Sequence, residues 1–581
     1  MGESSLLRAM EKEMGTRVVK VIAHHAFTPL GDGSHENYCL VKEGHSAVQH
    51  HSGKGWALAE DFMAGLIAMP IASPRATNMA LHSIRSAIAQ LAQPLPPDDT
   101  LLIVSTTKGN VDLINDADEK PVRLGAMAED IAHQLGLTKR PLVVSNACTS
   151  GVCAQIVAQR VLLSGHCRYA IVCGVEAQSR FIVSGFQSFH ALSPAHCRPF
   201  SSNRDGLNVG EATATIIFTI SDDVTSNDWT LQAGAIRNDA NHISGPSRTG
   251  EGSFRALRAV MSEAKADDLA FTSVHGTATS YNDEMESIAI DRAGLLDVPL
   301  CSLKGYYGHT MGAAGVLETI LSMEAVEDRT VLATLGYDNL LGVSHPVAVS
   351  STNGTTDKTS FVKLISGFGG CNAAIRMQKG GSENRNNSDT NKTIAAILTS
   401  ITITPTSVIL NGQTLPTAKT GDALLTECYR NSHADYPKYF KMDPLCRLGF
   451  VASELLLQSV AEERFIARED RAIVLASCRG CLHTDRHYES TIVPGDNYFP
   501  SPAVFVYTLP NIVTGEIAIR NKYLGETSMY LFEESIDEDE RIQLLQDLTF
   551  QDAATTSALI GWVDYQDSNH FIAKLHLVNN L

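Results

Sequence analysis

The sequence predicts an α/β fold with a covered sheet. Three observations support this. Short β-branched runs alternate with Ala-rich helical stretches from Arg17 onward, the signature of strands buried under helices. The segment from Gly151 to Ser164 carries apolar residues on every face, including Val152, Ile156, Val157, Val161 and Leu162, so a helix there belongs inside the protein. The same pattern of strands and helices then returns further along the chain.

In order, Val18 to Ala23, Leu101 to Ser105, Leu142 to Ser145 and Tyr169 to Cys173 read as buried strands of a first half, residues 17–225. A second block starts near Asp228. It offers strands at Thr272 to Val274 and Phe361 to Ile365 around a Gly/Ala-rich helical segment, Gly312 to Ala325, and makes a related half over residues 226–379. The stretch KGGSENRNNSDTNK, Lys379 to Lys392, has no apolar residue and sets a linker at residues 380–392. A third unit, residues 393–581, lays against the first half. Ala472-Ile473-Val474-Leu475 followed by Gly480 matches Leu101-Leu102-Ile103-Val104 followed by Gly109, and Gly561-Trp562-Val563-Asp564 matches Gly174-Val175-Glu176.

Composition narrows the function. The chain has 581 residues, 44% of them hydrophobic and 19% charged, ordinary for a globular protein of several domains. A formal charge of −18 argues against non-specific nucleic-acid binding, which needs a cationic surface. The 12 cysteines are scattered and mostly in apolar runs, as expected of reduced core residues. Cys478-Arg479-Gly480-Cys481 lacks a second ligand pair, and the neighbours His24-His25 and His50-His51 point opposite ways on a strand, so no metal site is expected. The opening MGESSLLRAMEKEMG has no apolar signal core and fits a myristoylation pattern only loosely. No stretch reaches the ~20 apolar residues of a membrane span, and a cytoplasmic enzyme is expected.

Three residues carry candidate chemistry. Cys148, in Ser145-Asn146-Ala147-Cys148-Thr149-Ser150-Gly151, sits between a strand and the start of the buried helix, where free N–H groups and the helix dipole favour a thiolate. A buried structural cysteine is the commoner reading of such a residue. His275 follows a strand and leads into Gly276-Thr277-Ala278-Thr279; His309 precedes a helix in Tyr307-Gly308-His309-Thr310-Met311-Gly312. Either alone reads as a satisfied loop histidine, but a nucleophile and two imidazoles together suit acyl transfer.

At this point the chain resembles the elongating, Cys-His-His β-ketoacyl synthases of the thiolase superfamily over roughly residues 17–378. Thr28-Pro29-Leu30-Gly31, Cys197-Arg198-Pro199-Phe200 with Arg204-Asp205-Gly206, Gly210-Glu211-Ala212, and Ser366-Gly367-Phe368-Gly369-Gly370-Cys371-Asn372 fall in the family's order. The resemblance implies the layered αβαβα thiolase fold. It also implies decarboxylative Claisen condensation between an acyl thioester on Cys148 and a malonyl thioester on acyl carrier protein, without metal or organic cofactor. Cys148, His275, His309 and Lys304 are its catalytic residues. Asp283 and Glu286 follow in the family's spacing, with Glu286 expected to pair with Lys304, and Phe368 is expected to be gatekeeper and, through its backbone, half of an oxyanion hole. Fatty acid, polyketide or aryl polyene and flexirubin-type assembly are all compatible. The implied assembly is a homodimer in which first-half strands pair across a two-fold axis, or a synthase with a chain-length-factor-like partner. Asn146 departs from the small or hydroxylated residue usual beside the nucleophile, which bears on substrate range. A non-condensing acyltransferase or malonyl decarboxylase, a cysteine hydrolase built on Cys148, His275 and Asp283, and an inactive scaffold remain as alternatives.

The third unit resembles a truncated partner of the chain-length-factor type. Leu509-Pro510-Asn511 with Gly515-Glu516-Ile517-Ala518-Ile519 matches the segment upstream of a nucleophile, whose turn then falls near Leu531-Phe532-Glu533-Glu534-Ser535, where no cysteine stands. The acidic run Glu533 to Glu540 reads as a solvated helix start. Packing on a synthase unit without catalysis is the expectation.

Overall fold

β-Branched and aliphatic runs become strands wherever both faces find cover, and they do so here in three sets of five. The structure, a computed structural model, describes residues 17–380, 395–492, 500–533 and 537–580. The expected linker lies almost wholly outside the described residues, as does the extreme N-terminus.

The first set is β1 (Val18–Phe27), β2 (Thr100–Ser105), β3 (Leu142–Val144), β4 (Tyr169–Glu176) and β5 (Ala212–Ser221). Hydrogen bonding orders it β1-β5-β4-β2-β3, with β4, β2 and β3 parallel and β5 antiparallel to its neighbours. The second is β6 (Trp229–Asn238), β7 (Leu269–Ser273), β8 (Leu300–Cys301), β9 (Ser360–Gly367) and β10 (Cys371–Lys379), ordered β6-β10-β9-β7-β8. The third is β11 (Ala395–Thr404), β12 (Arg471–Ser477), β13 (Thr527–Leu531), β14 (Ser557–Asp567) and β15 (His570–Asn580), ordered β11-β15-β14-β12-β13. The strand order is identical each time. The C-terminal unit thus repeats the strand order of the half-domain a third time.

Helices α1 (Ser150–Leu163) and α2 (Ala314–Glu327) occupy equivalent places after β3 and β8, and both are buried almost throughout. They cross at two glycines. A Cβ on Gly151 would lie 2.9 Å from Val316 N, and one on Gly315 would lie 2.4 Å from Val152 N. Only glycine permits backbones this close. The crossing brings the N-terminal ends of the two helices together, and the candidate site forms there.

The free edge of β3, which the resemblance assigns to a partner subunit, is occupied within the chain. β13 pairs with it antiparallel, Tyr530 opposite Val144 and Leu531 opposite Val143, and the Ser145 N–H donates to Met529 O at 3.1 Å. Asn146 extends this ladder. Its Oδ1 accepts from Met529 N at 2.8 Å and its Nδ2 donates to Thr527 O at 3.3 Å. The departure noted beside the nucleophile therefore has a structural reason: the amide replaces a short ladder's missing backbone bonds. Buried ion pairs reinforce the junction, with Arg160 bonded to Glu526 at 2.7 Å and Lys108 to Asp485 at 2.6 Å.

Candidate active site

Cys148 lies in the single turn Ala147–Thr149 between β3 and α1. The preceding Ala147 has φ 50°, Met311 after His309 has φ 42° and Ala278 after His275 has φ 62°. Non-glycine residues in the left-handed region cost energy, and their clustering at three loops that converge marks a place where surrounding packing dictates the backbone. The Cys148 sulfur and one ring nitrogen each of His275 and His309 lie within 4.8 Å of one another. The two imidazoles meet edge to face, with centroids 5.0 Å apart and planes at 79°.

Each histidine is held by its backbone and keeps one buried ring nitrogen unpartnered among the described residues. The His275 N–H and the Gly276 N–H both donate to the Glu286 carboxylate at 2.7 Å, and Asn282 Nδ2 adds a third bond at 2.9 Å. The His309 N–H donates to Asn208 O at 2.6 Å. His309 Nδ1 accepts from the Met311 N–H at 3.2 Å, so the ring proton resides on Nε2, a buried donor without a protein partner. His275 Nδ1 is likewise buried and unpartnered among the described residues.

Charge beneath the rings sets their state. Burial, and then the ammonium of Lys304, push both imidazoles well below the usual histidine range, with Lys363 adding to the effect. Both are therefore neutral near pH 7, suited to donating one N–H and to taking a proton. The same burial pushes the Cys148 thiol up to about 12 against the pull of Lys304, so the resting nucleophile is the thiol rather than the thiolate expected from the helix start alone.

Phe368 follows Gly367, whose Cβ position would fall 3.2 Å from Cys148 N, so the glycine loop passes directly over the nucleophile's backbone. Its ring rests against Phe189 at 5.8 Å and its carbonyl accepts from Asn511 Nδ2 at 2.8 Å. A cavity of 340 Å³ opens above Cys148, lined by His275, His309, Phe368, Phe186 and Phe189, and by Phe505 and Leu509 of the C-terminal unit. Thr277, Thr279 and the largely exposed Tyr281 lie on its wall.

Two expectations need correction. Lys304 does not pair with Glu286. Its ammonium bonds to Glu318 on α2, while Glu286 is spent on the His275 loop, where burial raises it to about 7. The spacing Lys304 to Glu318 crosses a loop, and an i-to-partner guess from the family's order of motifs misses it. Asp283, raised to about 6 by burial, accepts from Phe200 N at 2.8 Å and lies 3.8 Å from Arg204 Nε, so it braces the Phe200 turn rather than an imidazole. That removes the orienting carboxylate a cysteine hydrolase would need.

Three further groups escape sequence reasoning. Glu318 was visible as an acid flanked by the apolar Val316-Leu317 and Ile320-Leu321, and Lys363 as a lone base in the apolar run Phe361-Val362-Lys363-Leu364-Ile365; each pattern demands a buried partner. Phe505 and Leu509 carried no such signal.

The chain is similar to known proteins. Residues 120–222 match the beta-ketoacyl synthase N-terminal domain and residues 230–338 its C-terminal domain. The chain is 28% identical over 278 residues to 3-oxoacyl-[acyl-carrier-protein] synthase 2 of Rhizobium meliloti, covering 44% of this chain and 65% of that protein. It is 30% identical over 230 residues to the tetracenomycin polyketide synthase ketoacyl synthase alpha subunit of Streptomyces glaucescens, covering 37% and 54%. The matched regions thus span less than two thirds of these relatives. Among solved structures, the PfaC keto synthase-chain length factor superposes with a TM-score of 0.72 at 13% identity over 97% of this chain and 78% of that one. The ketosynthase ApeO, solved with its chain length factor ApeC from Xenorhabdus doucetiae, gives 0.55 at 23% identity over 62% and 98%. Residues 120–222 and 230–338 are thus similar, in series, to the two domains of the β-ketoacyl synthase family, on a thiolase-like fold.

Proposed function

We propose that this protein is an elongating β-ketoacyl synthase that condenses a Cys148-bound acyl group with a malonyl thioester carried on acyl carrier protein. The observation that supports it most is one sulfur and two neutral imidazoles converging on an apolar cavity, with no carboxylate on either ring among the described residues. The Cys148 sulfur attacks the acyl thioester carbonyl as its proton passes to an imidazole; the bond to the carrier sulfur breaks and that thiolate leaves with the proton. The N–H groups of Cys148 and Phe368 are the oxyanion donors in this reading. Malonyl thioester then loses CO₂, the C–C bond's electron pair becoming an enolate whose oxygen is met by the N–H of His309 and that of His275. The enolate carbon attacks the Cys148 thioester, and the sulfur leaves as thiolate and takes up a proton from solvent, the first thiol proton having left with the carrier.

In this reading the reaction draws on no metal or organic cofactor, a cytoplasmic setting suits it, and the pathway is fatty acid, polyketide or aryl polyene assembly. The C-terminal unit acts as a built-in chain-length-factor-like partner: it closes the acyl cavity with Phe505 and Leu509 and carries no nucleophile of its own. Among the described residues no helix is long and apolar enough to cross a membrane.

Intact-mass spectrometry tests this directly. Acyl carrier protein loaded with acyl group should leave an adduct that Cys148→Ala abolishes, and malonyl carrier protein should convert the adduct to a product two carbons longer. Release of CO₂ without lengthening favours the decarboxylase, loss of adduct without lengthening the hydrolase, and silence in both the scaffold.

A further inference from the structure

Lys363 sits in the middle of β9, and its side chain is fully buried. An ammonium in a sheet core costs several kcal/mol unless every donor is satisfied, and an apolar residue would fill the space more favourably. Its Nζ is satisfied in a specific way. It donates to the carbonyl of Val274 at 3.1 Å and that of Ser273 at 3.3 Å, the two residues immediately before His275, and pairs with Glu318 Oε2 at 2.5 Å. The other oxygen of Glu318 takes Lys304, five residues before His309.

These bonds form one continuous support. It runs from the His275 loop through Lys363 to Glu318 on α2, then through Lys304 to the segment that carries His309. Burial would raise Glu318, but the two lysines together hold it below the ordinary carboxylate range, so it remains the anion both need.

We propose that Lys363 is a positioning residue for malonyl decarboxylation, which sets the His275 loop from beneath and, through Glu318, fixes its spacing from His309. The proposal rests on the condensation reading above. The charged and titratable groups around the two rings are Lys304, Lys363, Glu318, Glu286 and Cys148. Two ammoniums facing one shared carboxylate leave a positive excess that disfavours imidazolium, so removing one eases protonation of both rings.

The test uses the full chain with Lys363→Met, which loses both charge and donors, and Lys363→Gln, which keeps a donor for the two carbonyls. Acyl uptake on Cys148 and CO₂ release from malonyl carrier protein are measured separately across pH, and ¹³C-labelled histidine is titrated by NMR. For Lys363→Met, decarboxylation should fall about tenfold more than acyl uptake. The acid limb of its pH profile should move up on the order of one pH unit. Lys363→Gln should recover part of the rate while keeping the shifted limb. Equal loss of both steps at an unchanged limb would make Lys363 a structural filler and overturn the proposal. Should Lys363→Met fail to fold, an unshifted histidine titration in Lys363→Gln overturns it as well. Absence of CO₂ release from the unaltered protein would sink the condensation reading instead, and the histidine titration would still decide the role of Lys363.

Discussion

The first and last five-stranded units close the same turn with the same device, and they differ in what meets that turn from outside. In the first, Glu176 at the end of β4 accepts from the N–H groups of Thr107 at 2.9 Å and Lys108 at 3.2 Å, just past β2. It then reaches across to Gly312 N at 3.0 Å, in the turn between His309 and α2. In the last unit Asp564, at the equivalent place on β14, accepts from Ser477 Oγ at 2.6 Å and from the N–H groups of Cys478 at 3.0 Å and Arg479 at 2.7 Å. Here the Arg479 guanidinium takes the remaining oxygen at 3.1 Å. The helix after the third strand differs in the same sense. α1 is buried on all sides, whereas Glu538–Thr549 buries only Leu545, Gln546, Leu548 and Thr549 and starts with three acids at its N-terminal turn, where the helix dipole welcomes them. The same strand order thus carries a helix buried all round in the first unit and one with a polar side in the last.

The sharpest way to break this comparison is at the helix crossing only the first unit possesses. Gly151→Ala forces a methyl within 3.0 Å of the backbone of Gly312, Gly315 and Val316, which cannot yield as a flexible side chain can. It should cost about 3 kcal/mol by thermal or denaturant unfolding and disable the site, since it wedges Cys148 from His309.

The matched carboxylates come next. Asp564→Asn removes the charge that receives the Arg479 guanidinium and two backbone N–H groups, and with that guanidinium partly exposed the loss should be about 2 kcal/mol. Glu176→Gln should instead abolish a pH slope. Burial raises Glu176 to about 7, so between the unfolded carboxyl's pKa and that value the native state holds a proton that the unfolded chain has released. Stability therefore falls as pH rises from ~4.5 to above ~7, by on the order of 3 kcal/mol from this group, and the amide should flatten that fall. Chemical denaturation at pH 5 and pH 8 reads both variants.

The smallest effect is expected at the shared wall. Leu509→Ala enlarges the cavity from the C-terminal side and should lengthen the acyl products seen by mass spectrometry while leaving Cys148 acylation in place; an unchanged product profile would mean that this wall does not limit the chain.

How much of this could be read in advance followed from how local each signal was. Cys148, His275 and His309 each sit in a run of small residues between a strand and a helix, and the sequence displays such junctions openly. The kinship of the C-terminal unit with the first half was legible in the likeness of Ala472-Ile473-Val474-Leu475 to Leu101-Leu102-Ile103-Val104, because buried parallel strands are written as continuous apolar runs. The partner of Lys304 was misjudged because a lysine's long stem lets its head reach any acid that folding brings near, and the sequence orders acids without locating them. β3 is three residues long, too short to advertise that its open edge would be paired by β13, and the role of Asn146 followed it out of sight. The nucleophile-equivalent turn of the C-terminal unit lies partly outside the described residues.

The most direct measurement is a crystal structure of the full chain acylated on Cys148. The acyl carbonyl oxygen should rest on the N–H groups of Cys148 and Phe368, and the chain should run between Phe189 of the first half and Leu509 of the C-terminal unit. An acyl chain that leaves Cys148 in another direction, without touching the C-terminal unit, would contradict a condensing site completed by the chain's own third half-domain.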